Sequence, residues 1–439
     1  MKRVAVIGAG ISGLAAAYAL REQAHVTLFE AGSHFGGHAH TVDVTLDGVT
    51  HGVDTGFLVF NHRTYPNLVR LFDDLRVDTA PSEMSFSVQV PQDGLEWSGS
   101  SLATVFAQRR NLLRPAFHSM LAQILRFNRQ ATALAESGSD AALAEPIGDF
   151  LARHGYRAPF RDWYLLPMIG CIWSCPTEQM LRFPIGTLIR FCHNHGLIQV
   201  TDRPQWHTVR GGSRQYVRKI LARLADARAG CPVLGVHRVP PGEGHAGVLV
   251  ATAAGTERFD DVVLACHSDQ ALALLDDAGA DERALLGAIR YQPNRAVLHT
   301  DASLLPQRRA AWAAWNYARA AHAEQEQARV CLHYLINRLQ PLPWQQPVIV
   351  SLNPDPAREP APAQVLGEFA YSHPVFDLAA VAAQKRLPEI QGRSHVWFCG
   401  AWTRYGFHED GLASALDAVR ALRASWQAQA DQPALPVAA

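Results

Sequence analysis

The sequence predicts an α/β protein whose parallel sheet is interrupted by inserted α+β segments. An apolar strand at residues 4–7 runs into a glycine-rich turn, a helix of small residues over Leu14–Leu20, and a second strand over His25–Phe29. A similar strand and glycine turn, Val396–Gly400, recurs near the other end of the chain. This order of strand, turn, helix and strand is typical of a Rossmann-type sheet, in which helices connect parallel strands.

The first glycine turn carries the dinucleotide-binding spacing in its required context. Gly8 allows a tight turn, Gly10 lets the backbone approach a pyrophosphate, and Gly13 lets the helix pack closely on the strand. The helix N-terminus favours the phosphates, and Glu30 at the end of the second strand can bind a ribose hydroxyl. We therefore expect this turn to bind a dinucleotide, with Ser12 and Ala31 as neighbouring contacts.

A second match to the same spacing has the wrong context. Gly242, Gly244 and Gly247 follow two prolines, Pro240 and Pro241, and no helix comes after them. We expect a hairpin turn at this position.

Two further features narrow the dinucleotide to FAD. The doublet Gly36-Gly37 lies where a second backbone segment would approach the pyrophosphate. Near the C-terminus, Gly400 is followed by Tyr405–Gly411 and a helix predicted from about Leu412. The N-terminus of that helix can face the anionic end of a flavin ring.

The segments Glu30–Thr41, Val53–Phe57, Gly211–Val217 and Gly400–Gly411, in this order, resemble the flavin-containing amine oxidase superfamily. The resemblance implies an amine oxidase or glutathione reductase-like FAD domain with a discontinuous substrate domain. It also implies that the backbone of Val233 contacts adenine. The cofactor residues expected in this way are Gly8, Gly10, Ser12, Gly13, Glu30, Ala31, Gly36, Gly37, His38, Gly56, Phe57, Val233, Gly400, Gly411 and Leu412.

The inserted segments resemble a narrower bacterial group of NAD/FAD-binding proteins, often encoded beside cyclopropane-fatty-acyl-phospholipid synthases. The segments that carry this likeness include Phe60–Leu68, Met84–Val88, Cys171–Ser174, Asn194–Leu197, Pro204–Arg214, Val297–Asp301, Ala313–Tyr317 and Gly406–Leu412. Some relatives in the group are fatty-acyl desaturases, so the resemblance implies lipid metabolism.

Three departures from the amine oxidase pattern favour a different substrate. His38 stands where the superfamily usually has an arginine beside the pyrophosphate. Amine oxidases commonly place a lysine beneath the flavin, whereas the comparable strand here, Pro293–Thr300, has Arg295 and no lysine. No cysteine occupies the position at which monoamine oxidases attach the flavin. We therefore expect non-covalent FAD and consider amine oxidation the less favoured chemistry.

The predicted domains are discontinuous in sequence. The FAD-binding domain would comprise residues 1–60, 205–285 and 391–426. The substrate domain would comprise residues 61–204 and 286–390, and residues 427–439 would form a flexible tail.

Composition limits the partners and the location. The formal net charge is +0, so we expect no nucleic-acid partner. No apolar run reaches the ~18 residues of a membrane span, and the first strand leaves no room for a signal peptide. We expect a cytoplasmic protein, with peripheral contact to the inner membrane as a further expectation. Neither a metal site nor a particular oligomeric state is predicted.

Residues 101–135 contain five arginines and no acidic residue, with an apolar face broken at Pro115. Two interpretations stay open for this segment. It is either a helical lid with a solvated basic face, or a surface that contacts the headgroups of an anionic membrane.

The predicted function is hydride transfer from a hydrophobic substrate, in particular a phospholipid acyl chain, to FAD. The expected substrate-pocket residues are Trp173, Arg295, Trp315, Trp402 and Phe407, and the candidate catalytic residues are Tyr405, His408 and Glu409. Three alternatives stay open: a flavin amine oxidase, a flavin-dependent double-bond isomerase, and a non-catalytic FAD-bound partner of a lipid-modifying enzyme.

Overall fold

A computed structural model describes residues 1–137, 143–173, 176–199, 203–239, 246–320 and 330–431. The strands are β1 (Lys2–Ile7), β2 (Ala24–Phe29), β3 (Thr41–Leu46), β4 (Val49–Asp54), β5 (Phe60–Asn61), β6 (Thr79–Ser82), β7 (Phe86–Val90), β8 (Leu95–Ser98), β9 (Trp206–Val209), β10 (Asp226–Arg228), β11 (Val233–Arg238), β12 (Val248–Thr252), β13 (Gly255–Phe259), β14 (Asp261–Leu264), β15 (Arg290–His299), β16 (Trp315–Ala318), β17 (Cys331–Leu335), β18 (Ile349–Leu352), β19 (Val365–Val375) and β20 (Val396–Phe398).

The helices are α1 (Ile11–Leu20), α2 (Pro66–Leu75), α3 (Leu102–Val105), α4 (Pro115–Ser137), α5 (Ile147–Arg153), α6 (Ala158–Phe160), α7 (Leu166–Trp173), α8 (Thr177–Leu181), α9 (Ile185–Asn194), α10 (Arg214–Leu221), α11 (Ser268–Leu274), α12 (Ala280–Gly287), α13 (Ile336–Leu339), α14 (Leu378–Arg386) and α15 (His408–Ala430). Within the described ranges, no helix combines the length and the apolar character needed to cross a membrane.

The first sheet is the parallel sheet that the sequence predicts. Its five strands follow the order β10, β2, β1, β14, β20, and every neighbouring pair is parallel. The carboxyl ends of parallel strands meet at one edge, which is where ligands bind in such sheets. That edge gathers Gly8, Glu30, Ala265 and Gly400, although they lie far apart in sequence.

Two helices begin side by side at this edge. A Cβ atom added at Gly411 would lie 2.8 Å from Ser12 Oγ and 2.9 Å from the side chain of Ile11, so only glycine lets α15 approach α1 this closely. Helix α15 begins at His408, earlier than the predicted start near Leu412, because the Asp410 carboxylate accepts the Phe407 N–H at 3.0 Å. The helix also runs four residues into the predicted tail, and residues 432–439 lie outside the described part of the chain.

The second large sheet has seven strands in the order β19, β15, β18, β17, β16, β7, β8. It is mixed, since β16 pairs in parallel with β7 while the other neighbouring pairs are antiparallel. Strands β11, β12 and β13 form a separate antiparallel sheet. The link between β11 and β12 contains the second glycine match, of which residues 240–245 lie outside the described residues.

Helices α3 to α9 lie between β8 and β9 in sequence and supply one wall of the substrate side of the molecule. Strand β9 pairs with both β5 and β6, and thereby connects residues on either side of this helical insertion. The division into two domains stays a prediction. The pairing of β9 with β6 joins a strand of the predicted FAD-binding domain to a strand of the predicted substrate domain.

Candidate active site

A cavity of about 1460 Å³ begins at the carboxyl edge of the parallel sheet and continues between the seven-stranded sheet and the helical insertion. Single-ligand pockets are usually ~300–1000 Å³, so this volume suits a large cofactor together with a second molecule. We call the part beside the parallel sheet the cofactor arm. The apolar arm is the part lined by Phe86, Trp97, Ile124, Met168 and Trp315, among others.

The glycine turn forms the floor of the cofactor arm. Gly8 has a positive φ of 97°, which favours glycine. A Cβ at Gly13 would lie 1.7 Å from the Gly8 carbonyl oxygen, whereas a Cβ at Gly10 would meet nothing within 4 Å. Gly10 is also the N-cap of α1 and offers no side-chain cap, so the first backbone N–H groups of α1 remain available to an anion. Ser12 lines the cavity, while Gly13 acts through packing.

Glu30 is held in place at the end of β2. Its carboxylate accepts the Ala9 N–H at 2.9 Å and the Gly32 N–H at 2.8 Å, and the residue lines the cavity together with Ala31. Val233 lines the same end. The carboxylate therefore lies where a ribose hydroxyl could reach it.

The glycine doublet approaches the first turn closely. Gly36 donates its N–H to the Ala9 carbonyl at 2.8 Å and has a positive φ of 122°, so its part is to shape the loop. A Cβ at Gly37 would lie 3.1 Å from Gly10 Cα. Gly37 lines the cavity and Gly36 does not.

Histidines surround the point where the loop of His38 enters the cofactor arm. The His38 ring lies 4.9 Å from that of Tyr371 and 5.2 Å from that of His373, and its Nε2 atom is buried without a hydrogen-bond partner in the described structure. His267, stacked on Tyr291 at 4.3 Å, also lines the cavity. Burial is the main cause that lowers the pKa of His38 well below its usual value, and repulsion from the neighbouring imidazoles lowers it further.

These three histidines fit an anionic ligand. Burial lowers the pKa of His373 to about 4, so the imidazoles are neutral near pH 7 until an anion stabilises their protonated form. The sequence had singled out His38 only. It gave no signal for His373, which the pairing of β19 with β15 brings to the site.

Phe57 and His408 form a stacked pair, 3.7 Å between ring centroids, near the end of the cofactor arm. The Nε2 atom of His408 shares a hydrogen bond of 2.7 Å with the Tyr216 hydroxyl, and burial lowers the pKa of His408 to about 3. His408 lines the cavity, but it is a neutral packing residue with an engaged nitrogen and a poor base. Gly56 and Gly400 line the cavity nearby, whereas Gly411 and the buried Leu412 do not.

Glu409 requires a correction, because its side chain does not reach the cavity. The carboxylate accepts the Asn67 N–H at 3.0 Å, the Asn67 side-chain amide at 2.7 Å and the Leu68 N–H at 3.0 Å. It therefore caps the N-terminus of α2, which has no capping side chain of its own at Tyr65.

Arg295 requires a second correction, since it lies outside the cavity. Its guanidinium pairs with Glu359 at 2.8 Å and with Glu368 at 2.7 Å on the solvent side of β15. The adjacent Asn294 and Ala296 are buried, as expected when successive side chains of a strand point to opposite faces.

The other predicted pocket residues, Trp173, Trp315, Trp402 and Phe407, line the cavity, and so does the candidate catalytic residue Tyr405. Trp173 donates its indole N–H to the Tyr405 carbonyl at 3.1 Å, which joins α7 to the loop before α15. Trp402 donates to the Cys266 carbonyl at 3.1 Å, at the end of β14. Both indoles therefore fix the walls of the cavity through backbone atoms.

The comparisons with known proteins agree with this architecture. A family model of an NAD(P)-binding Rossmann-like domain matches residues 6–75. Cyclohexylamine oxidase from Brevibacterium oxydans IH-35A has a TM-score of 0.67 at 16% identity, over 97% of this chain and 99% of that chain. Putrescine oxidase bound to putrescine gives a TM-score of 0.66 at 16% identity, over 96% and 99%. The chain has the amine oxidase fold.

The amine oxidase fold also occurs in a protein of different chemistry. A CLA-producing fatty acid isomerase from P. acnes gives a TM-score of 0.65 at 15% identity, over 96% of this chain and 98% of that chain. Among curated proteins, none matches the sequence significantly. The assignment to the narrower bacterial group therefore stays a prediction.

Proposed function

We propose that the protein is an FAD-dependent oxidoreductase that takes a hydride from a phospholipid acyl chain. The observation that carries this proposal is one continuous cavity with two different arms. The cofactor arm has a dinucleotide-binding turn, an anchored ribose acceptor at Glu30 and a buried unpartnered His38 nitrogen. The apolar arm is lined largely by aliphatic and aromatic side chains.

The residues present fit FAD. The open space at Gly10 and the uncapped N-terminus of α1 suit the diphosphate, and the three histidines can supply the positive charge that it needs. Burial raises the pKa of the Cys266 thiol to about 12 and raises that of Cys171, so these cavity-lining cysteines are poor nucleophiles at neutral pH. This supports non-covalent binding. When bound, FAD supplies the hydride acceptor.

The charges in the cavity favour an acyl chain over an amine. Apart from histidine, the charged residues among the described lining are Glu30, Glu83 and Arg203. Glu83 is paired with Arg338 at 2.8 Å, and Glu30 is held by the loops of the cofactor arm. None of the three lysines in the chain lines the cavity. An apolar arm with few charges suits a hydrocarbon substrate.

Tyr405 is the member of the predicted catalytic trio that keeps a role at the cavity. Burial raises its pKa, so the phenol stays protonated at neutral pH and orients the substrate rather than accepting a proton from it. His408 is engaged with Tyr216, and Glu409 caps α2. The chain thus positions the reacting carbon, while the trio supplies no free base. Desaturation therefore requires a group outside the trio to accept the proton that the adjacent carbon loses after the hydride has left.

The absence of a free base within that trio favours a second candidate, a double-bond isomerase. Such an enzyme returns the hydride to a different carbon of the same chain and needs no net proton removal. The likeness to the fatty acid isomerase fold supports keeping this candidate. Both candidates require the same substrate and the same apolar arm.

Anaerobic spectroscopy of the flavin-loaded protein tests the proposal. We expect phospholipids with unsaturated acyl chains to bleach the oxidised flavin band, and a panel of amines to leave it unchanged. Unbleached flavin with a shifted double bond in the recovered lipid would select the isomerase. Bleaching by an amine would overturn the proposal, as would the absence of both bleaching and altered lipid.

A matched pair of variants locates the response in the apolar arm. Ile124→Arg places a charge in that arm and should abolish bleaching by lipid while FAD stays bound. Arg295→Ala changes an exposed residue outside the cavity and should leave bleaching unchanged.

A further inference from the structure

Residues 101–129, which we call the entry segment, contain an unusual surface. Leu102, Leu112, Leu113 and Leu125 are 80%, 51%, 88% and 55% exposed. These four are nearly half of the nine large apolar side chains that are exposed in the described chain. Isolated exposed apolar residues are ordinary, but a cluster within one segment indicates a surface that contacts another apolar phase.

The same segment forms the mouth of the cavity. Ser101, Leu102 and Leu125 are exposed and also line the cavity, while Val105, Leu121 and Ile124 line it from deeper positions. Two of the exposed leucines, Leu102 and Leu125, therefore belong both to the surface and to the lining of the cavity. A hydrocarbon chain could pass between them without crossing water.

The charge of the mouth is positive. Arg109 and Arg110 are exposed in the turn that ends at Leu113, and Arg309 lies in a short turn that packs beside α3. Within the described ranges, none of these three arginines forms a salt bridge with an acidic side chain. The nearby acids are already engaged: Glu96 accepts the N–H groups of Gln307 and Arg308, and Asp93 accepts the indole N–H of Trp163.

We propose that the entry segment docks on an anionic lipid bilayer and admits an acyl chain directly from the bilayer into the apolar arm. Exposed leucines near arginines that have no acidic partner in the described structure match the interfacial zone of such a bilayer, where the leucines enter the acyl region and the arginines meet the headgroups. The second step rests on the proposed function, because it requires the arm to take an acyl chain. Docking by itself does not depend on the proposed function.

Vesicle sedimentation of the full chain tests docking without any turnover. We expect binding to phosphatidylcholine vesicles that contain phosphatidylglycerol, weaker binding to pure phosphatidylcholine, and a loss of binding at high salt because the arginines are screened. The double variant Leu102→Ser with Leu113→Ser should weaken binding at least about tenfold, because it removes apolar surface that would enter the bilayer. Both side chains are exposed, so the substitutions should not disturb the fold. Arg109→Glu with Arg309→Glu should weaken binding to a similar degree.

The controls use side chains of similar exposure elsewhere. Leu234→Ser with Leu378→Ser changes leucines that are 62% and 48% exposed on β11 and α14, and should bind vesicles like the parent protein. Arg283→Glu with Arg420→Glu should likewise bind normally. Equal losses in the controls and the entry-segment variants would overturn the proposal, and so would a parent protein that fails to sediment with anionic vesicles.

Docking and turnover fail in distinguishable ways. Vesicle binding without flavin bleaching by any lipid would support docking and contradict the proposed function. Bleaching by detergent-dispersed lipid without vesicle binding would support the proposed function and contradict docking. The protein could instead self-associate through the entry segment, which would be detected as a dimer that the two leucine substitutions dissociate. That result would assign the surface to a second copy of the chain and overturn the proposal of bilayer docking.

Discussion

The two arms of the cavity are built in different ways. The cofactor arm is shaped by backbone: glycine turns, strand ends and a helix N-terminus that meet at one edge of the parallel sheet. The apolar arm is shaped by side chains from strands of the second sheet and from helices α3, α4 and α7. A ligand in the first arm would be recognised by N–H groups and charge, and one in the second by shape and exclusion of water.

This difference decides how each arm responds to mutation. In the cofactor arm, the methyl group added by a Gly→Ala substitution strongly destabilises the fold where it would meet backbone atoms. The same methyl group leaves folding unchanged where it would enter open space. In the apolar arm a changed side chain alters the shape of the cavity while the backbone stays in place. The following predictions test this contrast, beginning with the largest effect.

Gly13→Ala and Gly10→Ala should separate packing from binding within one turn. The Cβ at residue 13 would collide with the Gly8 carbonyl oxygen at 1.7 Å, so Gly13→Ala should destabilise the protein by about 3 kcal/mol or more. The Cβ at residue 10 would meet nothing within 4 Å, so Gly10→Ala should melt like the parent apoprotein yet bind FAD at least about tenfold more weakly. Thermal unfolding and FAD titration by fluorescence measure the two effects.

Unchanged FAD affinity in Gly10→Ala would show that no cofactor approaches this turn. A stable Gly13→Ala would contradict the close packing of α1 on β1.

The histidines of the cofactor arm should make FAD binding depend on pH. In the cofactor-free protein the pKa of His38 lies well below its usual value and that of His373 is about 4, so both are neutral at pH 6–8. A bound diphosphate raises these values, and binding therefore takes up protons. Because proton uptake is favoured at low pH, FAD affinity should rise by about 3- to 10-fold from pH 8 to pH 6.

His38→Gln should flatten that pH dependence while it keeps a hydrogen-bonding side chain, and His38→Arg should bind tightly at both pH values. His25→Gln, on the exposed side of β2, serves as the control. An affinity that falls on acidification, or a slope that His38→Gln leaves intact, would show that these imidazoles do not neutralise the cofactor.

The cofactor arm was accessible to sequence reasoning because its geometry depends on residues with special backbone properties. Gly8, Gly10 and Gly13 stand at fixed spacing after an apolar strand, and the parallel sheet brings Gly400 to the same edge as predicted. The family model over residues 6–75 covers the same turn.

The directions in which side chains point are harder to predict from the sequence. Arg295 was assigned to the pocket from its strand alone, whereas the alternation of side chains along β15 turns it to solvent. Glu409 was assigned from its place beside the flavin-facing helix, but the cap formed by Asp410 starts that helix at His408 and directs Glu409 towards α2. His373 reaches the cofactor arm only through the pairing of β19 with β15, which no local motif reports.

The prediction at Glu409 distinguishes a helix cap from a catalytic base. Its carboxylate accepts three hydrogen bonds from Asn67 and Leu68 at the start of α2, so Glu409→Ala should lower the free energy of unfolding by about 1–2 kcal/mol. Glu409→Gln retains one acceptor oxygen and should recover part of that loss. Neither change should alter the rate of flavin reduction per bound flavin, because the side chain lies outside the cavity. Urea unfolding and anaerobic reduction of the two variants measure both quantities, and a stable protein with a much slower reduction would restore Glu409 as the base.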